Sequence, residues 1–289
     1  MVCQNLRNVP CLLLALVLTV LLAPAAASAD QSPFDALVER LCTEGFDRTW
    51  LSQLYVESNL ALDLQGVSLF FRHREAKLNY GQFTSWLNIY RARRYMEAHR
   101  TALEQAEKNF GVDPRVITAI ILVETKLGTY LGSRSIFTTL STMATLSDEQ
   151  PRELLWAQLP EDQRPTHQQY EKKAGEKAAW AFAELKAFLK FAQREQVDPL
   201  EIKGSYAGAL GISQFMPSNV LAYGTDGNGD GKIDLFVHDD AILSIANFLK
   251  RYGWSAGISR ERAYRVLLHY NYSKYYVNTV LDIAELLKG

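Results

Sequence analysis

The chain has 289 residues, of which 48% are apolar and 22% are charged, and its formal net charge is −1. This composition is typical of a globular protein with a sizeable core, arranged as one large domain or two smaller ones. The near-neutral charge gives no support for nucleic-acid binding, which requires a basic surface.

Residues 1–29 are predicted to be a cleavable signal peptide. Arg7 supplies a positive start, residues 11–23 form an apolar run, and residues 27–29 (ASA) match a small-residue cleavage site. The run is too short for a comfortable membrane span, although an uncleaved anchor is the alternative. We therefore expect a periplasmic protein without stable membrane insertion. After cleavage Cys42 is the only cysteine, which excludes an intramolecular disulfide and favours a buried, inert thiol over a nucleophile.

Residues 30–110 are predicted to form an N-terminal helical region. A first helix begins near Phe34 and ends at Gly45, because a glycine commonly ends a helix. Residues 60–70 could hold a short strand. Residues 85–110 have apolar residues at helical spacing between charged ones and are predicted to form one long surface helix.

The second region, residues 111–289, begins with the strongest helix start in the chain. Asp113 is an N-cap residue and Pro114 suits the first helical position, so a helix is predicted from there to Lys126. Residues 148–175 are polar and contain prolines, which indicates an exposed loop or insertion with short helical pieces. Further helices are predicted over residues 176–196, 239–252, 260–269 and 274–288.

Glu124 is the candidate catalytic acid. It shares a side of its helix with Ile117, Ile120 and Ile121, so its surroundings are expected to be apolar. Burial raises the pKa of a carboxyl group and keeps it protonated, as a general acid requires. The alternative is a partly exposed glutamate near a helix end, paired with Lys126 or an arginine.

Two polar and aromatic segments could line a groove. Residues 204–217 (GSYAGALGISQFMP) are too glycine-rich for a helix interior, and their small residues let a ligand approach the backbone. Residues 270–276 (YNYSKYY) carry rings with hydroxyl tips, which are common in carbohydrate sites. The alternatives are a close crossing of two helices at the first segment and a tyrosine-rich packing face at the second.

Residues 226–234 (DGNGDGKID) have the spacing of a calcium loop, with oxygen-bearing side chains at positions 1, 3, 5 and 9 and glycine at position 6. Position 12 is Val237 instead of the usual glutamate, and Asp239 or Asp240 could complete the ligand shell. A structural cation is favoured over a calcium sensor or a metal-free turn.

These motifs, in this order, resemble those of the lytic murein transglycosylases of the membrane-bound transglycosylase B type. The likeness extends from about residue 80 to the C-terminus and includes residues 123–128 (VETKLG), the glycine-rich segment with its calcium loop, and residues 252–254 (YGW). It implies a mainly α fold: a lysozyme-like helical catalytic core with an additional N-terminal helical region and a calcium-binding loop.

The resemblance also implies a substrate and a reaction. The expected partners are peptidoglycan glycan strands, cut between N-acetylmuramic acid and N-acetylglucosamine with formation of 1,6-anhydro ends, and Glu124 acts alone as acid and then base. The groove residues implied are Ser205, Gln214, Met216, Tyr270, Asn271 and Tyr276. The Ca²⁺ ligands implied are Asp226, Asn228, Asp230, the Lys232 carbonyl and Asp240, with Asp234 as a further candidate.

Three departures from the family keep other functions open. Residues 147–175 form a longer stretch than the family pattern has at that point. Only 15 residues separate Trp254 from Tyr270, where family members carry a longer segment that forms one wall of the groove. Lys126 and Leu127 stand where the family has Arg-Trp. The alternatives are a hydrolysing muramidase and a non-catalytic protein that binds peptidoglycan or acts as a scaffold on the same fold.

Overall fold

The structure, a computed structural model, describes residues 32–72 and 79–288. The predicted signal peptide therefore lies outside the described residues. Thirteen α-helices and one two-stranded ladder make up the described part of the chain. Among these helices, none has both the length and the apolar character needed to cross a membrane.

The N-terminal helices are short. They are α1 (Asp35–Thr43), α2 (Arg48–Ser52), which continues into one π-helical turn (Gln53–Glu57), and α3 (Leu64–Arg72). The prediction that α1 ends near Gly45 is confirmed, and Gly45 has a φ of +92°. Cys42 is partly buried and packs against the core.

The strand predicted at residues 60–70 is wrong, because this segment contains α3. The Asp63 carboxylate accepts a hydrogen bond from the Gly66 N–H at 2.8 Å and so satisfies the first turn of the helix. The same carboxylate pairs with Arg134 at 2.6 Å. These contacts favour a helix over the extended conformation.

The single helix predicted over residues 85–110 is two helices, α4 (Trp86–Ala98) and α5 (Arg100–Phe110), preceded by a 3₁₀ turn at Tyr80–Thr84. The break falls at His99, whose ring lies 4.3 Å from the Tyr95 ring, centroid to centroid. Helix α4 packs against the helix at residues 114–125. Helix α5 packs against that helix and also against the helix at residues 238–251. The predicted boundary between the two regions falls at Gly111, which ends α5 with a φ of +70°.

The helix that carries Glu124 is α6 (Pro114–Thr125), and it begins as predicted. The Asp113 side chain accepts a hydrogen bond from the Arg115 N–H at 2.8 Å, and Pro114 occupies the first turn. Most of α6 is buried, including Ile117, Ile120 and Ile121 at 0% exposure. This helix therefore runs through the core, and Glu124 lies one residue from its end.

The exposed loop or insertion with short helical pieces that was predicted at residues 148–175 is more helical than expected. After α7 (Ile136–Ala144), helix α8 occupies Glu149–Gln158 and α9 occupies His167–Glu195, nine residues earlier than the predicted start at residue 176. Thr166 and Gln169 form a reciprocal capping box that begins α9. Leu155 and Tyr170 are fully buried, so these helices add to the core.

The remaining helices are α10 (Pro217–Tyr223), α11 (His238–Arg251), α12 (Arg260–Tyr270) and α13 (Lys274–Leu286), and the last three agree with prediction to within two residues. The ladder pairs β1 (Arg134–Ser135) with β2 (Lys203–Gly204) in antiparallel register. One cluster of buried side chains extends from the N-terminal helices through α6 and α9 to α13.

Two glycines with open space around them test the helix assignments. Gly175 lies inside α9, and Gly45 follows α1 with a φ of +92°; a Cβ atom at either would meet no atom within 4 Å. We expect Gly175→Ala to raise the free energy of unfolding by about 0.5–1 kcal/mol, because alanine is the better helix former. Gly45→Ala, the matched control, should lower it by about 1–2 kcal/mol because of its left-handed backbone. Denaturant unfolding measures both, and a loss of stability in Gly175→Ala would contradict the extended α9.

Candidate active site

A cavity of about 460 Å³ lies between the end of α6, the glycine-rich segment, the start of α13 and the 3₁₀ turn before α4. Glu124 lines this cavity and is partly buried. It is the only carboxylate among the described residues that line it. The other lining residues are neutral: Asn79, Tyr80, Gln82, Phe83, Val123, Ser205, Tyr206, Ala207, Ala209, Gln214, Tyr270, Asn271 and Tyr276.

The C-terminal turn of α6 is fixed to the glycine-rich segment through Thr125, which is fully buried. Its hydroxyl oxygen lies 3.2 Å from the carbonyl oxygens of both Ile121 and Ile212, and it accepts the Gly128 N–H at 3.1 Å. Glu124 is the preceding residue. The backbone next to Glu124 is thus held in place by a contact between α6 and the glycine-rich segment.

The glycine-rich segment folds into two tight turns instead of a helix. The Ser205 hydroxyl accepts hydrogen bonds from the N–H groups of Ala207 and Ala209, at 3.2 and 3.0 Å. Gly211 has a φ of +71°, and a Cβ atom there would lie 2.5 Å from the Leu235 Cβ. A glycine is therefore required at 211, both by backbone conformation and by space.

The next turn places Gln214 in the cavity wall. Gln214 itself has a φ of +50°, which is uncommon for a residue with a side chain. Its amide nitrogen donates to the Gly211 carbonyl at 2.8 Å. The segment ends where α10 begins, and there the buried carboxylate of Glu184 accepts both the N–H and the hydroxyl of Ser218, at 2.9 and 2.7 Å.

Two tyrosines on the opposite side face Glu124. The Tyr270 hydroxyl donates to the Ser213 carbonyl at 2.5 Å, and the Tyr270 and Tyr276 rings are nearly parallel, 6.3 Å apart. Burial, and then the Glu124 charge, raise the pKa values of both hydroxyl groups well above the ordinary value. The Tyr276 hydroxyl is buried and lacks a well-formed hydrogen bond, although its contact with Glu124 contributes to the raised pKa. Both phenols therefore stay protonated beside the carboxyl group.

Five of the six predicted groove residues line the cavity together with Glu124: Ser205, Gln214, Tyr270, Asn271 and Tyr276. Met216 does not line it; it is partly buried and precedes the first turn of α10. Prediction from sequence missed the lining residues of the 3₁₀ turn, Asn79, Tyr80, Gln82 and Phe83. Their only signal was a run of amide and aromatic side chains directly before the α4 start.

A second cavity of about 450 Å³ contains none of the predicted site residues. Asp113, Arg115 and Glu285 are among the residues that line it. The charged side chains that line it include ion pairs at the start of α6 and at the end of α13. Because the predicted site residues line the first cavity, we place the site there.

The predicted calcium loop is held by its own side chains. The Asp226 carboxylate accepts the N–H groups of Gly229 and Gly231, at 2.7 and 2.8 Å. Asp230 accepts the Lys232 N–H at 2.9 Å, and the Asn228 oxygen accepts the Asp230 N–H at 2.9 Å. These are local bonds within a compact turn.

Asp240 joins this loop to the start of α11. It is fully buried, and its two carboxylate oxygens accept the N–H groups of Gly227 and Asp234, at 2.8 and 2.7 Å. Burial raises the Asp240 pKa and the Asp226 charge adds to this, whereas the backbone hydrogen bonds oppose it. Asp234 instead accepts the Phe236 N–H at 2.9 Å.

The oxygen-only donor set of the loop suits a hard cation. The three carboxylates among the predicted ligands, Asp226, Asp230 and Asp240, do not form a group whose ligand atoms all lie within 4.8 Å of one another; in the described chain only Glu153, His167 and Glu171 form such a group. The donor chemistry therefore fits Ca²⁺, and the carboxylates would have to move closer around the ion.

The comparison with known proteins decides the family. The family model described as "Transglycosylase SLT domain" matches residues 29–264. The chain belongs to this transglycosylase family. Membrane-bound lytic murein transglycosylase B from Escherichia coli (strain K12) is 38% identical over 163 residues, which are 56% of this chain and 38% of the relative. The match thus spans well under half of the relative's length.

Solved structures of the same kind share the fold. The soluble lytic transglycosylase SltB1 from Pseudomonas aeruginosa superposes with a TM-score of 0.71 and 26% identity, covering 87% of this chain and 97% of that one. Escherichia coli Slt35, solved in complex with calcium, gives a TM-score of 0.63 and 25% identity, covering 90% and 93%. The predicted mainly α, lysozyme-like fold is confirmed.

Behind the site, a cluster of aromatic rings packs against the turn after α6. A Cβ atom at Gly128 would lie 2.8 Å from the His238 ring, whose Nδ1 lies 2.8 Å from the Tyr95 hydroxyl. The His99 and His238 rings are 4.3 Å apart. Burial lowers the pKa values of both histidines, the His99 charge adds to the effect on His238, and the Asp239 carboxylate opposes it.

This cluster predicts a loss of stability at mildly acidic pH. Because the folded-state pKa of His99 lies below the unfolded value of about 6.5, the unfolded chain binds the proton first as pH falls. The stabilisation is complete above that pH and decreases as pH falls towards the folded pKa. We expect Tm to fall between about pH 7 and pH 5, and to fall less steeply in His99→Phe. Thermal melts of both proteins, referenced to their values at pH 8, measure this; equal slopes would contradict it.

Proposed function

We propose that this protein is an exported lytic transglycosylase that cleaves the β-1,4 bond between N-acetylmuramic acid and N-acetylglucosamine in peptidoglycan. The observation that carries this proposal is the single carboxylate in the cavity, Glu124, among otherwise neutral described residues. Hydrolysing glycosidases of the usual plan need two carboxylates, the second one to activate water or attack the sugar. With one carboxylate, a nucleophile that the substrate itself supplies removes the need for a second one.

In the proposed reaction, Glu124 donates its proton to the glycosidic oxygen as the bond from that oxygen to the muramic acid C1 breaks. The resulting carboxylate then accepts the proton of the 6-hydroxyl group of the same sugar. That oxygen bonds to C1 and closes the 1,6-anhydro ring, and Glu124 is again protonated. Water is neither consumed nor released, so the cavity needs only one group with both roles.

The neutral side chains around Glu124 suit a saccharide. Tyr270 and Tyr276 keep their protons and so place neutral hydroxyl groups and ring faces beside the carboxyl group. Asn271 can both donate and accept, as sugar hydroxyls and N-acetyl groups require. Ser205 and Gln214 use part of their hydrogen-bonding capacity to hold the glycine-rich turns, so we assign them to shaping the cavity as well as to binding. Met216 does not line the cavity, so its contribution to substrate binding would be indirect.

The relatives support the substrate class. One similar protein is described as a murein transglycosylase, and Slt35 and SltB1 are described as lytic transglycosylases. We extend the activity to this chain because the five groove residues that line the cavity surround Glu124. We also propose export to the periplasm, where peptidoglycan is accessible, with cleavage after Ala29.

We further propose that the loop at residues 226–234 holds a structural Ca²⁺, as the Slt35 complex with calcium suggests. Its ligands would be Asp226, Asn228, Asp230, the Lys232 carbonyl and Asp240. A bound ion would neutralise part of the negative charge of this acidic loop. Asp240 would replace the glutamate that usually occupies position 12, where this chain has Val237, and it would connect the loop to α11.

Glu124→Gln is expected to abolish turnover of purified peptidoglycan and to preserve binding, because the amide keeps the shape of the side chain but cannot transfer the proton. Mass spectrometry of the wild-type products should show 1,6-anhydro-muramic ends. Glu104→Gln, an exposed carboxylate on α5, is the matched control and should retain full activity. Products heavier by one water would identify a hydrolase, and an inactive wild-type protein that still binds would identify a non-catalytic wall-binding protein.

Removal of calcium is expected to lower Tm, because an ion that binds only the folded state stabilises it by about 2.7 kcal/mol at a hundredfold excess over Kd. Thermal melts with excess chelator, and with Ca²⁺ restored, measure this. Asp230→Asn should weaken the response, whereas Asp282→Asn, which changes an exposed carboxylate paired with Arg260, should not. An unchanged Tm in chelator would refute the metal assignment.

A further inference from the structure

Two aromatic side chains stand exposed in the first turns of α4. Trp86 is 79% exposed and Tyr90 is 51% exposed. Their rings are nearly parallel, with an interplanar angle of 14° and centroids 5.7 Å apart. Large aromatic residues usually bury their rings, so an exposed, mutually ordered pair indicates an interaction surface.

This pair follows the cavity wall closely along the chain. Gln82 and Phe83 line that cavity, and Trp86 is only three residues beyond Phe83. Three residues of fully extended chain span at most about 11 Å, so Trp86 lies within about that distance of the cavity wall. Tyr90 follows one helical turn later, about 6 Å further along the axis.

A positively charged residue, Arg94, lies on the same side of α4. Arg94 is four residues after Tyr90 and therefore lies on the same side of α4. It pairs with Glu97 at 2.8 Å, with both side chains more than half exposed. Such a pair contributes little, so the guanidinium remains available to another carboxylate.

We propose that Trp86 and Tyr90 form an outer binding platform for the glycan strand where it leaves the cavity. Flat aromatic rings bind the apolar faces of sugar rings, and a polymer that fills the cavity has to continue past one of its ends. Arg94 lies at the far end of the platform, where it can bind carboxylates carried by the stem peptides of the strand. The identity of this ligand rests on the function proposed above.

The test compares the affinity of short and long strands in the Glu124→Gln background, where no substrate is consumed. Replacing both rings, as Trp86→Ala with Tyr90→Ala, should weaken binding of strands of about eight sugars by about tenfold. Binding of a disaccharide, which the cavity alone can hold, should stay unchanged. Leu87→Ala, which alters an exposed aliphatic side chain on the same helix, is the control and should change neither affinity.

Each other outcome contradicts the platform. Unchanged affinity for long strands would overturn it, as would an equal loss for both lengths, which would indicate damage to the cavity. A wild-type dimer that is lost in the double variant, with strand affinity unchanged, would replace it with self-association. Binding is measured without turnover, so the platform and the proposed reaction can fail separately. If the rings bind long strands but the wild-type protein forms no product, only the proposed reaction is contradicted.

Discussion

The site depends on the backbone of one residue, Ile212. Its N–H donates to the carbonyl of Leu235, the residue directly after the loop at residues 226–234, at 2.8 Å, and its carbonyl oxygen lies 3.2 Å from the hydroxyl oxygen of Thr125, next to Glu124. Both groups are buried, so losing either partner would leave a polar atom unsatisfied in the core, at a cost of about 1–3 kcal/mol. Through this one residue, the loop at residues 226–234 and the C-terminal end of α6 are held at a fixed separation.

The neighbouring turns have unusual backbone conformations that only such bracing could maintain. Gln214 has a φ of +50°, and Lys126 and Leu127, directly after α6, have values of +49° and +64°. Each such residue costs of order 1–3 kcal/mol and persists only where the surrounding contacts determine it. Here the contacts are the Tyr270 hydroxyl on the Ser213 carbonyl and the Thr125 hydroxyl on its neighbours. The strain therefore lies on both sides of Glu124, where the cavity requires a definite shape.

Local signals in the sequence predicted the elements whose ends are capped by nearby residues. The start of α6 follows from Asp113 and Pro114, and the late helices follow from their apolar periodicity. The start of α9 was equally readable in Thr166 and Gln169, but the polar composition around them obscured it. The break at His99 was not readable, because α4 and α5 separate to pack on different partners and the residues at the break have no strong turn preference.

Belonging to a sequence motif predicted most of the residues that line the cavity. It could not separate them from a motif residue that lies outside the lining. Ser205, Gln214 and Tyr276 line the cavity, but nothing in the pattern distinguishes Met216, which shares their segment and lies outside the lining. The hydrogen bond that Tyr270 donates to the Ser213 carbonyl joins parts of the chain that are 57 residues apart. Such contacts cannot be inferred from spacing along the sequence.

The short connection between Trp254 and Tyr270 need not leave the cavity open on one side. Asn79, Tyr80, Gln82 and Phe83 line it from the N-terminal region, and Tyr80 contributes, after burial and Glu124, to the raised pKa of Tyr276. A wall made by a 3₁₀ turn attached to α4 is fixed to the core through Ile89 and Ala92, which are buried. The N-terminal region thus supplies a surface that the second region lacks, and the family match, which starts at residue 29, includes the residues that form this wall.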